Sequence, residues 1–262
     1  MDRTIELTID VAAVTASSGE SLLDVARRSG ATIPSLCHHE HLRPYGACRL
    51  CLVEVTRNGR TRVTTSCNYE VQPGIEVRTD TEKLRRHRRM VLELLLGHAP
   101  EAPAVRGLAR AHGIESPRFP GTVSPAGRVD CILCGKCARV CEEVVGAAAI
   151  TLSGRGERRG LEVPFRERIA EACIGCGACA AVCPTGAIDM ESIAAEVLRA
   201  RPATDRPCRY ALMGLMPGAI CPNDYECARC EVDQRFVEAA APAHPIFVAR
   251  GLVRPAGWDE EE

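Results

Sequence analysis

From Thr4 to Val11 polar and apolar residues alternate, which sets Ile5, Leu7 and Ile9 on one face and predicts a half-buried strand. Ser21 stands where an N-cap belongs, before a short helical stretch from Leu22 to Ser29 that Gly30 ends. Cys51 to Thr56 is strand-like, and Asn58-Gly59 is a strong hairpin signal before a return strand from Arg62 to Ser66. Pro73-Gly74 marks another turn, and Ile75 to Arg78 a last short strand. The order strand, strand, helix, loop, hairpin, strand predicts a small mixed sheet packed on a helix over residues 1–80.

Residues 81–97 carry Leu84, Val91, Leu94 and Leu95 near one face and predict a helix. Lys83, Arg85, Arg86, Arg88 and Arg89 crowd its first turns, a solvated face or a docking surface for an acidic partner. Residues 98–128 are rich in Pro, Gly and Ala and read as a connector with a helical turn or two. Residues 129–190 contain two similar cysteine runs, an internal repeat, and Glu191 to Ala200 predicts a helix. Residues 205–232 hold further cysteines. The tail after Pro242 is Pro-rich, ends in DEEE and is expected to fray.

Composition changes this picture at one residue type. Hydrophobic residues at 46% and charged residues at 26% are those of a globular protein, and a net charge of −1 points to neither nucleic acid nor an anionic membrane. Aromatics make up only 3%, so the core leans on Val, Leu, Ile and Ala. Cysteine, at 16 in 262 residues, is the outlier. The start MDRTIELTIDV lacks the basic residues and apolar stretch of a secretory signal, and no apolar run is long enough to span a membrane. The expected location is therefore the cytoplasm, where thiols stay reduced and dense Cys-x2-Cys spacing reads as metal binding rather than as disulfides.

The sixteen cysteines fall into four groups of four. Cys37, Cys48, Cys51 and Cys67 lie in SLCHHEHLRPYGACRLCLVEV and RVTTSC. A loop with three thiolates and a fourth returned by a hairpin suits a 2Fe-2S cluster; the Cys-x2-Cys pair with two others also suits zinc. Gly46 and Ala47 let the backbone approach closely. His38, His39 and His41 read as loop or surface residues, because four cysteines complete the site.

The Cys-x10-Cys-x2-Cys-x15-Cys spacing and the phrase GACRLCLVEV resemble the N-terminal ferredoxin domain of the large iron–sulfur subunit of respiratory complex I, a module shared with NAD-linked hydrogenases and formate dehydrogenases. The resemblance implies a β-grasp fold and a 2Fe-2S cluster on Cys37, Cys48, Cys51 and Cys67. In that family a following helix ends in a histidine, and His-x3-Cys-x2-Cys-x5-Cys holds an extra 4Fe-4S cluster. Here His98 is in place, but the three cysteine positions fall on Ala102, Val105 and Ala111, so that cluster is expected to be missing.

Cys131, Cys134, Cys137 and Cys141 form CILCGKCARVC, and Cys173, Cys176, Cys179 and Cys183 form CIGCGACAAVCP, two Cys-x2-Cys-x2-Cys-x3-Cys runs. Three cysteines on a tight loop reach three irons of one cubane and the fourth reaches the other cubane. The first 4Fe-4S cluster is thus expected on Cys131, Cys134, Cys137 and Cys183, and the second on Cys173, Cys176, Cys179 and Cys141. Gly135, Gly175 and Gly177 suit the bends, Ile132 and Ile174 can shield the cubanes, and Glu142 in place of a proline is similar to the complex I pattern.

Cys208, Cys221, Cys227 and Cys230 follow an x12, x5, x2 spacing that fits neither a zinc ribbon nor a ferredoxin run. Four cysteines in 23 residues still call for a metal to hold the segment together, either a third 4Fe-4S cluster or zinc.

The expected fold class is α+β, in four parts: a 2Fe-2S ferredoxin-type domain (1–80), a helix and connector (81–128), a two-cluster 4Fe-4S ferredoxin-like domain (129–190), and a small four-cysteine, metal-stabilised segment with the tail (191–262). No catalytic constellation stands out; GRGERRG at 154–160 lacks the spacing of a dinucleotide fingerprint. The resemblance implies an electron-transfer subunit of a cytoplasmic oxidoreductase complex. Its expected partners are a flavoprotein that oxidises or reduces NAD(P)H and a second, catalytic redox subunit such as a hydrogenase or formate dehydrogenase. The alternative is a free-standing multi-cluster ferredoxin that shuttles electrons between separate enzymes.

Overall fold

The computed structural model describes residues 4–119, 130–162, 172–188 and 190–254. The chain forms two compact units, one of residues 1–39 and 43–134, the other of residues 40–42 and 135–262. The frayed end expected at DEEE lies outside the described residues.

In the first unit five strands, β1 (Thr4–Ile9), β2 (Ala12–Ser17), β3 (Leu52–Arg57), β4 (Arg60–Thr65) and β5 (Glu76–Arg78), form one sheet in the order β2-β1-β5-β3-β4. β1 and β5 run parallel and every other pair is antiparallel, so the sheet is mixed as expected. The alternation in β1 buries Ile5, Leu7 and Ile9, and Val53, Val55 and Val77 join them. Helix α1 (Leu22–Arg28) buries Leu22, Leu23, Val25 and Ala26 in the same core; the Ser21 hydroxyl caps it by accepting from the Asp24 N–H. Asn58 and Gly59 both take positive φ, as a tight hairpin turn requires.

Helix α2 (Glu82–His98) is followed by α3 (Pro103–Ala111), a full helix where only a turn or two was expected. Pro103 occupies its first turn, where the missing N–H costs nothing. Val105 and Ala109 are its buried residues; they join Leu92, Leu96, Ala99 and Ala102 in a core that also reaches Cys37 and Cys48.

The second unit is built from short pieces. Each four-cysteine run contains a glycine with positive φ that opens a short helix: Gly135 before α4 (Lys136–Val140), Gly177 before α5 (Ala178–Ala181). A wider, π-type turn, Cys141–Val145, continues α4, and a small hairpin pairs β6 (Thr151–Ser153) with β7 (Gly160–Glu162). Helices α6 (Met190–Arg199), α7 (Arg209–Met213), α8 (Glu231–Ala240) and α9 (Pro245–Ala249) follow. The core gathers Val140, Val144, Val182, Ile188, Tyr210, Ile246 and Phe247 with cysteines of both runs.

Candidate metal centres

Cys37, Cys48, Cys51 and Cys67 are all buried, and their thiols are in hydrogen-bonding contact, Cys48 with Cys37, Cys37 with Cys67, and Cys67 with Cys51. The hydrogen bonds accepted by Cys37 and Cys51 push both thiols down, Cys51 to about 6, and raise their donors Cys48 and Cys67. Backbone N–H groups also point at sulfur: Cys48 N lies 3.4 Å from Cys37 Sγ, and Leu36 N 3.4 Å from Cys48 Sγ. Such donors stabilise thiolate and cluster sulfur alike.

Local chemistry explains how three loop thiols meet a hairpin thiol. Ser66, next to Cys67, donates through both N–H and hydroxyl to the Cys51 carbonyl, each at 2.8 Å. Gly46 has φ of +71°, and a Cβ there would stand 3.0 Å from the Asn68 amide. A larger residue there would be strained by the positive φ and would have to push the Asn68 side chain aside, so glycine eases the closing of the loop against the turn that carries Cys67. Arg88, 4% exposed, donates to the carbonyls of Leu50, Leu52 and Thr79. It is therefore a support of the cysteine loop and not part of a solvated face. Its neighbours Lys83, Arg85, Arg86 and Arg89 pair with Glu54, Asp80, Glu82 and Glu93. His38, His39 and His41 lie in loop, as expected, each half-buried; His38 bonds Asp24 of α1 at 2.9 Å and His41 packs on Phe247.

Past α2, the positions where the resembled family places cysteines hold Ala102 and Val105, both fully buried among aliphatic side chains, and Ala111, which is exposed. His98 Nε2 is buried with no hydrogen-bond partner among the described residues.

In the second unit Cys141, Cys173, Cys176 and Cys179 line one cavity, closed by Ile150 and Ile174. These are the four residues that the crossed ligand pattern groups together. Ala149 N donates to Cys141 Sγ at 3.3 Å, and the N–H groups of Gly175 and Ala178 serve Cys173 and Cys176. Burial nonetheless pushes all four thiols up, Cys176 to about 11. Four thiolates buried at this density would need positive charge among them, which the irons of a cubane would supply. Gly175 and Gly177 have φ of +62° and +79°, which bends the loop round the cavity.

Of the other motif cysteines, Cys131 and Cys134 belong to the first unit, where Cys134 and Ile132 pack on the α2–α3 core. Cys137 and Cys183 belong to the second. Sequence reasoning missed His244. Its Nδ1 accepts from Ile246 N at the start of α9, and its Nε2–H donates to the Cys176 carbonyl at 2.9 Å. Burial pushes it down to about 4, so the imidazole is neutral. No spacing rule links residue 244 to residue 176.

The last four cysteines, far apart in spacing, line one cavity with Ile220 and Tyr225. Cys208 N donates to Ala219 O and Cys221 N to Arg206 O, both at 2.7 Å, so a bridge between two short segments sets Cys208 beside Cys221. Tyr225 N points at Cys221 Sγ at 3.3 Å, and the Tyr225 hydroxyl donates to Pro207 O.

Comparison with known proteins finds iron–sulfur domains over two stretches of the chain. Residues 2–82 match the 2Fe-2S iron-sulfur cluster binding domain and residues 130–187 the 4Fe-4S dicluster domain. The chain is 36% identical over 206 residues to the NADPH-Fe(3+) oxidoreductase subunit alpha of Geobacter sulfurreducens, a match over 70% of this chain and 24% of that protein. It is 29% identical over 220 residues to the mitochondrial NADH-ubiquinone oxidoreductase 78 kDa subunit of Candida albicans, 76% of this chain and 30% of the relative. The chain thus spans less than a third of the length of these curated relatives. Among solved structures it is similar to a chain of an NAD+-reducing [NiFe]-hydrogenase in the H2-reduced state, with a TM-score of 0.61 and 29% identity over 70% of this chain and 86% of that one.

Proposed function

We propose, from the premise that the chain carries a 2Fe-2S domain followed by a 4Fe-4S dicluster domain and is homologous to iron–sulfur subunits of NAD(P)-linked oxidoreductases, that it is an electron-transfer subunit of such a complex. It relays single electrons between a flavin–NAD(P)H module and a second catalytic subunit, in the cytoplasm. The observation that supports it most is the grouping of Cys141 with Cys173, Cys176 and Cys179 round one cavity, as crossed cubane ligation requires. Bound clusters supply one-electron oxidation and reduction; the chain supplies thiolate ligands, N–H donors to sulfur and an apolar surround that tunes potential.

Cys37, Cys48, Cys51 and Cys67 hold the 2Fe-2S cluster. Cys131, Cys134, Cys137 and Cys183 hold one 4Fe-4S cluster, an assignment carried by the motif alone, and Cys173, Cys176, Cys179 and Cys141 hold the other. Cys208, Cys221, Cys227 and Cys230 hold a further metal centre. The subunit reading is favoured over a free carrier because the relatives are named as subunits. No helix among the described residues is long and apolar enough to cross a membrane.

The test is anaerobic purification followed by acid-labile sulfide analysis and EPR. A Cys176→Ser chain is expected to lose one cubane signal and keep the 2Fe-2S signal. Retention of both cubane signals contradicts the ligand assignment, and absence of labile sulfide contradicts the function.

A further inference from the structure

We infer that Cys208, Cys221, Cys227 and Cys230 bind a third 4Fe-4S cluster and not a zinc ion. The inference rests on the iron–sulfur reading above and adds one centre to it, in a stretch that neither matched domain reaches.

The two candidate ligands ask for different arrangements of the same four thiols. Zinc draws four sulfurs onto one ion at about 2.3 Å, which brings each pair to roughly 3.8 Å. A cubane gives each thiolate its own iron, so the sulfurs stand farther apart and surround a cavity. The last four cysteines line a cavity.

The molecule contains its own standard for comparison. Cys141, Cys173, Cys176 and Cys179, inside the region that matches the dicluster domain, also surround a cavity. The resemblance extends to detail. One backbone N–H lies 3.3 Å from a cysteine sulfur in each, Ala149 to Cys141 and Tyr225 to Cys221. Isoleucines border both cavities, Ile150 and Ile174 in one and the half-exposed Ile220 in the other.

The wall of the second cavity is also held in place by bonds that do not involve the thiols. The paired 2.7 Å bonds of Cys208 and Cys221 fix one side. On the other side buried Arg209 is neutralised by Asp233 at 2.9 Å, which also accepts from the Tyr210 hydroxyl at 2.7 Å, and Tyr210 stacks on Phe236. The helix that carries Asp233 and Phe236 begins directly after Cys230. Assembly replaces the four thiol S–H bonds by four bonds from thiolate sulfur to iron and releases four protons; two ferrous and two ferric ions with four sulfides are the co-reactants, so the [4Fe-4S]2+ core forms without any further oxidant.

The experiment is metal and sulfide analysis of the full chain, purified or reconstituted without oxygen using ferrous and ferric iron with sulfide, beside a Cys221→Ala/Cys227→Ala chain. The unaltered chain is expected to hold about 14 irons and little zinc, and the double variant about four irons and four sulfides fewer, with the 2Fe-2S EPR signal kept. About 10 irons in the unaltered chain, with or without one zinc, overturns the inference while leaving the other clusters standing. Loss of all labile sulfide instead overturns the parent reading. If the double variant fails to accumulate, the iron and zinc count of the unaltered chain still decides.

Discussion

The Arg88 guanidinium donates at 2.6 Å to the carbonyl of Leu52, the residue directly after Cys51. The same side chain reaches the carbonyl of Leu50, directly before Cys51, and that of Thr79. One buried arginine on α2 therefore ties down both flanks of a predicted ligand. Methionine in its place keeps the bulk and removes every donor, leaving three carbonyls without this partner. Arg88→Met is expected to cost about 3 kcal/mol of stability in the first unit. It should also weaken the 2Fe-2S EPR signal relative to the cubane signals. Equal loss of all signals, or none, would count against this role for Arg88.

Much of this was readable from residue patterns. Strand alternation at Ile5, Leu7 and Ile9, the Ser21 cap and the Asn58-Gly59 turn are local signals, and the structure realises each within a residue or two. The grouping of Cys141 with the second run was readable because crossed ligation follows from spacing. Arg88 was not, because it sits in a run of basic residues that looks solvated, and only tertiary packing selects one of them for burial. Helix α3 was hidden by the Pro and Gly of its surroundings, which masked the short apolar stripe of Val105, Leu108 and Ala109. The convergence of Cys208 with Cys221 depends on a backbone bridge across 12 intervening residues, for which the sequence carries no pattern.

His244 gives a pH dependence. Its folded value of about 4 lies below the ordinary 6.5. Between the two, the unfolded chain binds a proton that the folded chain does not. Unfolding free energy therefore rises with pH across this window, and the contribution present above 6.5 is lost as pH falls towards 4. The full loss is about 3 kcal/mol. In His244→Gln the amide can still donate to Cys176 O but does not titrate. The stability difference between the two chains, measured by anaerobic denaturant titration, should move in favour of the variant as pH drops from about 7 to about 4. A difference that stays constant with pH would rule this out.

Glu93 is 1% exposed and accepts from Arg118 Nε at 2.7 Å, with Arg89 at 3.5 Å on its other oxygen. Removing the cation leaves a buried charge poorly compensated, whereas neutralising the acid does not. Arg118→Ala is expected to destabilise the chain by about 2 kcal/mol, and Glu93→Gln by less. Thermal unfolding of both variants checks the order, and the reverse order would show that Glu93 does not depend on Arg118.

The site beyond α2 tests whether a cluster position is lost in its residues or in its backbone. His98 retains a buried ring nitrogen without a partner among the described residues, so one ligand of the resembled site persists. The other three positions no longer share a surface. Ala102 and Val105 are fully buried, while Ala111 is exposed at the far end of α3. Six residues separate Val105 from Ala111, which turns the helix about 240° between them and points the two side chains in different directions. Cysteines at all three positions therefore cannot converge without unwinding α3. The Ala102→Cys/Val105→Cys/Ala111→Cys chain is expected to bind as much iron as the unaltered chain. A gain of about four irons, with a new cubane signal in EPR, would show instead that the helix yields to the metal and that only the side chains were lost.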